Sequence, residues 1–169
     1  YYDPKAKYND NLGNTIKSIR YANKMGAKII NYSGGGLEFS RDEFNAVKES
    51  RDKGILFVAA AGNERSNSDI HRYYPADYNL DNIISVTAIN QKAKVLASSN
   101  YGTESVHIAA PGENIFSLLP GGRYGKMTGT SQATAFVSGV ATLLFSNNEG
   151  YEYTHVRKQI LATTDEIPG

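Results

Sequence analysis

The sequence predicts an open α/β sheet, mainly parallel, with helices on both faces. Three observations carry that prediction. Two short apolar runs, Lys28-Ile-Ile-Asn-Tyr-Ser33 and Ile55-Leu-Phe-Val-Ala-Ala-Ala61, read as buried strands, the second with no polar alternation at all. Between them lies a segment with helical signals at both ends. Two such strands joined by a helix form a βαβ unit, which is expected to be parallel, covered on both faces and right-handed.

The first helix is expected from Thr15 to Met25, where Ile16, Ile19, Ala22 and Met25 recur every third position, Thr15 serves as a cap and Gly26 as a stop. After the first strand, Gly34, Gly35 and Gly36 close it. Ser40 with Glu43 makes a capping box, Phe44 and Val47 supply an apolar helical face, and Gly54 ends that helix. The polar stretch from Gly62 to Asp81 is too long for a mere connector, and loops of that kind in compact domains usually serve function. Asn82 to Ala88 is a third strand and Val106 to Ala109 a fourth, with Pro111-Gly112 breaking the chain after it. Pro120-Gly-Gly-Arg-Tyr-Gly125 reads as a turn, and Tyr153 to Ala162 as the last helix. No repeat or linker divides the chain.

Composition narrows the function classes. With 169 residues, 40% of them hydrophobic and 21% charged, the chain is expected to form one soluble domain, residues 1–169. A net charge of +1 without basic runs leaves no electrostatic footprint for nucleic acid or an anionic membrane, and neither is expected as a partner. No stretch approaches the ~20 apolar residues of a membrane span. There is no cysteine, which excludes disulfides and thiol chemistry but leaves the compartment open. The polar opening, Tyr1 to Asp10, carries no apolar signal core and reads as though it began partway through something longer.

The chemistry concentrates in Gly129 to Phe145, where a glycine and two hydroxyls stand directly before a helix apolar on nearly every side. Two readings stand for Ser131. It is an N-cap accepting a bond from a first-turn amide, or a nucleophile whose developing charge is favoured by the helix dipole and free amides. In an open α/β sheet a binding crevice lies at the carboxyl ends of the strands. Ser33 with its glycines, Gly62-Asn63 and Gly129-Thr-Ser131 all fall at such ends.

Taken together these stretches resemble the subtilisin-like serine proteases. Gly129-Thr-Ser-Gln-Ala-Thr-Ala135 is similar to the family's nucleophile signature, Ala59-Ala-Ala-Gly-Asn63 to its oxyanion segment and Asn31-Tyr-Ser-Gly-Gly35 to its substrate-binding strand. Tyr74-Pro-Ala76, Asn82-Ile-Ile-Ser-Val86, Ser99-Asn-Tyr-Gly102 and Ala109-Ala-Pro-Gly112 follow in the family's order. The resemblance implies that Ser131 is the nucleophile and that the Asn63 carboxamide and the Ser131 amide hold the oxygen that turns negative. It also implies that Ser33, Gly34, Gly35, Ala61, Gly62 and Thr130 contact substrate. Tyr73 resembles a wall of the primary specificity pocket; turned inward it favours small substrate side chains, turned outward it is a loop aromatic. The Tyr74-Pro75 bond is a cis candidate by the same resemblance. Ala135 and Phe136 stand where the family usually has Pro and His, and neither removes a catalytic atom.

A protease of this kind needs a histidine base and an orienting aspartate, in the order Asp, His, Ser. His71, His107 and His155 lack the family's histidine motif, with His107 expected inside the fourth strand. The aspartates Asp3, Asp10, Asp42, Asp52, Asp69, Asp77, Asp81 and Asp165 lack the hydrophobic strand setting of the family's acid. The chain is therefore identified as the C-terminal portion of a subtilisin-like peptidase domain, its sheet incomplete at the N-terminal side. A preceding or separate N-terminal segment is expected to supply Asp and His, and the chain alone is expected to be inactive. The expected partner is a peptide or protein substrate, and the rival expectation is a non-catalytic relative that binds a peptide or partner. No cofactor is required for the chemistry and no catalytic metal is indicated. The resemblance allows a structural calcium near Asp77 and Asp81, which otherwise read as solvated loop acids, and it favours a secreted or extracellular location.

Overall fold

The computed structural model describes residues 8–166, with side chains from residue 11 onward. Residues 1–7 of the polar opening, Asp3 among them, lie outside the described residues, as does the side chain of Asp10. In order the elements are α1 (Tyr8–Lys24), β1 (Ile29–Tyr32), α2 (Arg41–Asp52), β2 (Leu56–Ala60), β3 (Ile83–Ile89), β4 (Ile108–Pro111), β5 (Ile115–Leu119), β6 (Arg123–Met127), α3 (Thr130–Asn147) and α4 (Tyr153–Ala162). The sheet runs β1-β2-β3-β4, every pair parallel, as the βαβ pattern requires.

The uninterrupted apolar runs are explained by two-sided burial. Along β2 and β3, Leu56, Val58, Ile84, Val86 and Ala88 meet Ala133, Val137 and Ala141 of α3 and Val156 and Ile160 of α4. Their alternates Phe57, Ala59 and Ile83 meet Ile19 of α1 and Ala46 and Val47 of α2 on the other side. Each fully buried Val, Leu, Ile or Phe stabilises the fold by about 1.5–3 kcal/mol, so these central strands hold the layers together. The α1–α2 contact also carries a buried polar pair, with Ser50 Oγ donating to Asn23 Oδ1 at 2.7 Å.

Several boundaries differ from expectation. Helix α1 starts at Tyr8, not at Thr15, because apolar periodicity begins only where the helix meets α2. Met25 lies past its end and is 64% exposed, while Asn23 is buried in its place. Strand β1 is half-buried rather than buried, since it is an edge strand hydrogen-bonded to β2 alone. Strand β4 lies two residues later than expected and ends on Pro111, which an edge strand tolerates because the missing N–H is not needed. His107 consequently precedes β4. The capping box at α2 is half made: Ser40 Oγ accepts from the Glu43 N–H at 3.3 Å, but the Glu43 carboxylate is captured by the hydroxyls of Tyr32 and Tyr78. The turn at Gly121-Gly122 proves to be the bend of an antiparallel hairpin, β5–β6, unanticipated because its apolar residues Phe116 and Tyr124 stack on each other in solvent.

Candidate active site

The chain has no reason to place residues 33, 63 and 131 together except the fold. Strand β1 ends at Tyr32 and β2 at Ala60, adjacent and parallel, so the segments that follow them leave the sheet side by side. Helix α3 packs across these strands with its first turn at their carboxyl ends. The crevice expected at that edge therefore receives a helix N-terminus, with its unpaired amides and partial positive charge.

Ser131 does not cap the helix. Gly129 is the N-cap and has no side chain with which to cap it. Instead Ser131 Oγ donates to the Ser33 carbonyl at 3.1 Å, and Ser33 Oγ donates to the Ser131 carbonyl at 3.1 Å, a reciprocal tie between β1 and α3. Asn31 extends it: its Nδ2 donates to Ser33 Oγ at 2.9 Å while its Oδ1 accepts from Ser138 Oγ at 2.8 Å. These four polar side chains fix the nucleophile candidate against the strand that resembles a substrate-binding edge.

Asn63 arrives from the other side. Its Oδ1 accepts the Thr130 N–H at 3.0 Å. An N–H pairs only with the oxygen of a carboxamide, so the NH₂ half is turned away from Thr130 on an exposed side chain. Thr130 itself is fully buried, and its carbonyl accepts from Thr134 Oγ1 at 2.7 Å. Ala61 and Gly62 are buried behind Asn63, and both of their carbonyls accept from Asn100.

Tyr73 is turned inward. It is buried, and a methyl group built on either Gly35 or Gly62 would collide with its ring. The ring thus fills the space between the Ser33–Gly35 segment and the Ala61–Asn63 segment. Its N–H donates to Asp77 Oδ2 at 2.7 Å, and the following Tyr74-Pro75 bond is cis. Gly36 pairs with Tyr74 through two backbone bonds of 2.8 and 2.9 Å. A cleft of about 840 Å³ runs along this edge, bounded by Asn31, Ser33, Gly34, Gly35, Tyr73 and Tyr74. Ser131 meets it through Ser33.

The imidazoles lie in other settings. His107 Nδ1 accepts the Ser85 N–H at 2.9 Å, and burial together with nearby Arg157 pushes its pKa down to about 4. His155 Nδ1 accepts the Glu152 N–H at 3.2 Å, and its ring stacks on Tyr151. His71 is exposed in the long loop. The acids offered for calcium do not converge: Asp77 is turned onto Tyr73, whereas Asp81 accepts from the Tyr153 hydroxyl at 3.2 Å and lies 3.8 Å from Arg51. Among the described residues no group of three or more His, Asp and Glu could hold a metal ion.

Asn100 is the part of this region that residue patterns did not single out, although Ser99-Asn-Tyr-Gly102 was among the matching segments. A fully buried Asn beside a glycine turn is the signal, but burial is not visible in sequence.

Comparison with known proteins bears on the geometry. A model of the subtilase family matches residues 4–168. The thermophilic serine proteinase of Bacillus sp. (strain AK1) is 39% identical over 158 residues, covering 94% of this chain and 37% of that protein. Thermitase of Thermoactinomyces vulgaris is 39% identical over 151 residues, 89% of this chain and 51% of its own. Among solved structures, the prenylagaramide maturation protease PagA superposes with a TM-score of 0.83 at 28% identity, over 99% of this chain and 65% of that one. The chain thus spans about half or less of the length of these two curated relatives.

Proposed function

The chain belongs to the subtilase family, and from that premise we propose that it carries the nucleophile and oxyanion hole of a serine endopeptidase. Ser131 attacks the scissile carbonyl carbon, and its proton leaves to a histidine base. The Asn63 NH₂ and the Ser131 N–H receive the oxygen as it becomes negative; the C–N bond then breaks, the amine leaves with the proton returned by the histidine, and water hydrolyses the acyl-enzyme that remains, freeing the acid and Ser131. The histidine and its aspartate come from a preceding or separate N-terminal segment. Without that base the chain forfeits ~10²–10⁴-fold from proton transfer and cleaves peptides poorly.

The observation that supports this most strongly is the Asn63–Thr130 bond, which sets the carboxamide beside the first amides of α3. The edge Ser33-Gly34-Gly35 offers backbone groups to an extended peptide as an added strand. Tyr73, filling the slot between the two substrate-facing segments, restricts the residue whose carbonyl is attacked to a small side chain. Thr130, Ala61 and Gly62 shape the site from behind. The same open edge, β1, leaves backbone hydrogen-bonding groups on its outer side, on which the Asp- and His-bearing segment packs.

One observation favours the second reading, a non-catalytic peptide or partner binder. The Ser131 proton is committed to the Ser33 carbonyl. Co-expression of the chain with the Asp- and His-bearing segment separates the two. Peptidase activity that vanishes in Ser131→Ala supports the enzyme, and a stable complex without activity supports the binder.

A further inference from the structure

We propose that Asn100 is a positioning residue for Asn63, an inference that rests on the peptidase reading above. Asn100 is fully buried and bonds to the chain on both sides of Asn63. Its Nδ2 donates to the Ala61 carbonyl at 2.8 Å and its backbone N–H to the Gly62 carbonyl at 2.9 Å. Its Oδ1 accepts the N–H groups of Glu64 at 2.9 Å and Ser66 at 3.1 Å. Nδ2 also reaches the Glu64 carboxylate at 2.9 Å. The clamp is itself anchored to the sheet, since Thr87 Oγ1 on β3 donates to the Asn100 carbonyl at 2.6 Å.

The residue type follows from this pattern. Two backbone donors and a backbone acceptor must be met within one short, fully buried side chain, and only a carboxamide offers both an acceptor and a donor there. Aspartate would turn a carboxylate on the Ala61 carbonyl and the Glu64 carboxylate. The approach is so close that a methyl on Gly62 would collide with Asn100 Nδ2 and with the Glu64 carboxylate, and the Gly62 φ of 104° favours glycine in its own right. Residue 63 is thereby the unclamped member of a segment held at 61, 62, 64 and 66. Its side chain can hold its bond to Thr130 and still present NH₂ outward with little backbone freedom. An oxyanion donor acts by being in place before charge develops, and misplacement by about 1 Å costs on the order of 10²-fold.

A double-mutant cycle in the assembled enzyme tests this, using peptide hydrolysis with thermal unfolding as the control for folding. Asn100→Ser is expected to lower kcat about ten- to hundredfold with KM within about twofold. Because it acts through Asn63, Asn63→Ala/Asn100→Ser is expected to be no slower than Asn63→Ala alone. Losses that multiply, or a change confined to KM, overturn the proposal and leave the peptidase reading standing. An Asn63→Ala variant with undiminished kcat overturns both. Where Asn100→Ser lowers expression, Asn100→Asp is read by amide exchange. Faster exchange at the Thr130 N–H with Ile84 and Val86 unchanged supports the clamp, and unchanged Thr130 protection refutes it.

Discussion

The Thr130 backbone N–H donates to Asn63 Oδ1 across 3.0 Å, joining residues 67 positions apart in the chain. That one bond decides which half of the Asn63 carboxamide faces the crevice. It also occupies a first-turn amide of α3.

On the proposed peptidase reading, Asn63→Ala removes a donor that matters only when the carbonyl oxygen becomes negative. In the assembled enzyme kcat is expected to fall about 10²–10³-fold with KM little changed, a magnitude known from subtilisin itself rather than computed from this geometry. Steady-state kinetics on one peptide substrate measures it. Asn63→Asp is expected to be at least as poor, since a carboxylate repels the oxyanion and loses the donor.

Tyr73→Ala empties the slot between Gly35 and Gly62. Selectivity, measured as kcat/KM over a peptide series, is expected to move from small toward large aromatic side chains by about tenfold or more. An unchanged ranking would mean that the ring does not border the bound side chain. Folding is the control, because Tyr73 is buried and removing it leaves a cavity.

His107 sets a pH dependence of folding stability. Its Nδ1 must be unprotonated to accept the Ser85 N–H, and its folded pKa lies near 4 against 6.5 unfolded. A depressed histidine pKa means the unfolded chain binds the proton first. This contribution is therefore complete above pH 6.5 and is lost as the pH falls toward 4, by roughly 2–3 kcal/mol. Asp77 works in the opposite sense over part of that window: burial raises its pKa from 3.8 to about 6, so its contribution weakens as the pH rises from 3.8 to 6. Denaturant unfolding of wild type and His107→Gln at pH 7 and 4.5 isolates the first effect. The wild type is expected to lose more stability than the variant on acidification.

How much of this was legible in sequence depended on whether a residue's role is local. β2 and β3 were plain because two-sided burial writes itself as an unbroken apolar run, and α4 occupies the span expected for it, Tyr153 to Ala162. β4 slipped because Pro111 looked like a terminator, whereas an edge strand accepts it as a last member. The β5–β6 hairpin was hidden because Phe116 and Tyr124 face solvent, so burial left no alternating signature. Within the site, Ser131 and Asn63 were chosen by motif, but whether Ser131 caps its helix, or Tyr73 points inward, is set by residues such as Ser33 and Gly35 that are remote in sequence. Asn100 had no local pattern to declare it, since the partners of its side chain lie 34 to 39 residues away.

The central claim is that Ser131 and Asn63 act on the same carbonyl group, and an alkyl fluorophosphonate tests it with a stable mimic. The serine oxygen bonds to phosphorus as fluoride leaves, and the phosphonyl oxygen occupies the oxyanion position. Treatment of the assembled enzyme followed by mass spectrometry and crystallography is expected to show one adduct on Ser131, its phosphonyl oxygen within about 3 Å of Asn63 Nδ2 and the Ser131 N–H. An unmodified Ser131, or an adduct whose oxygen points away from Asn63, would contradict the account.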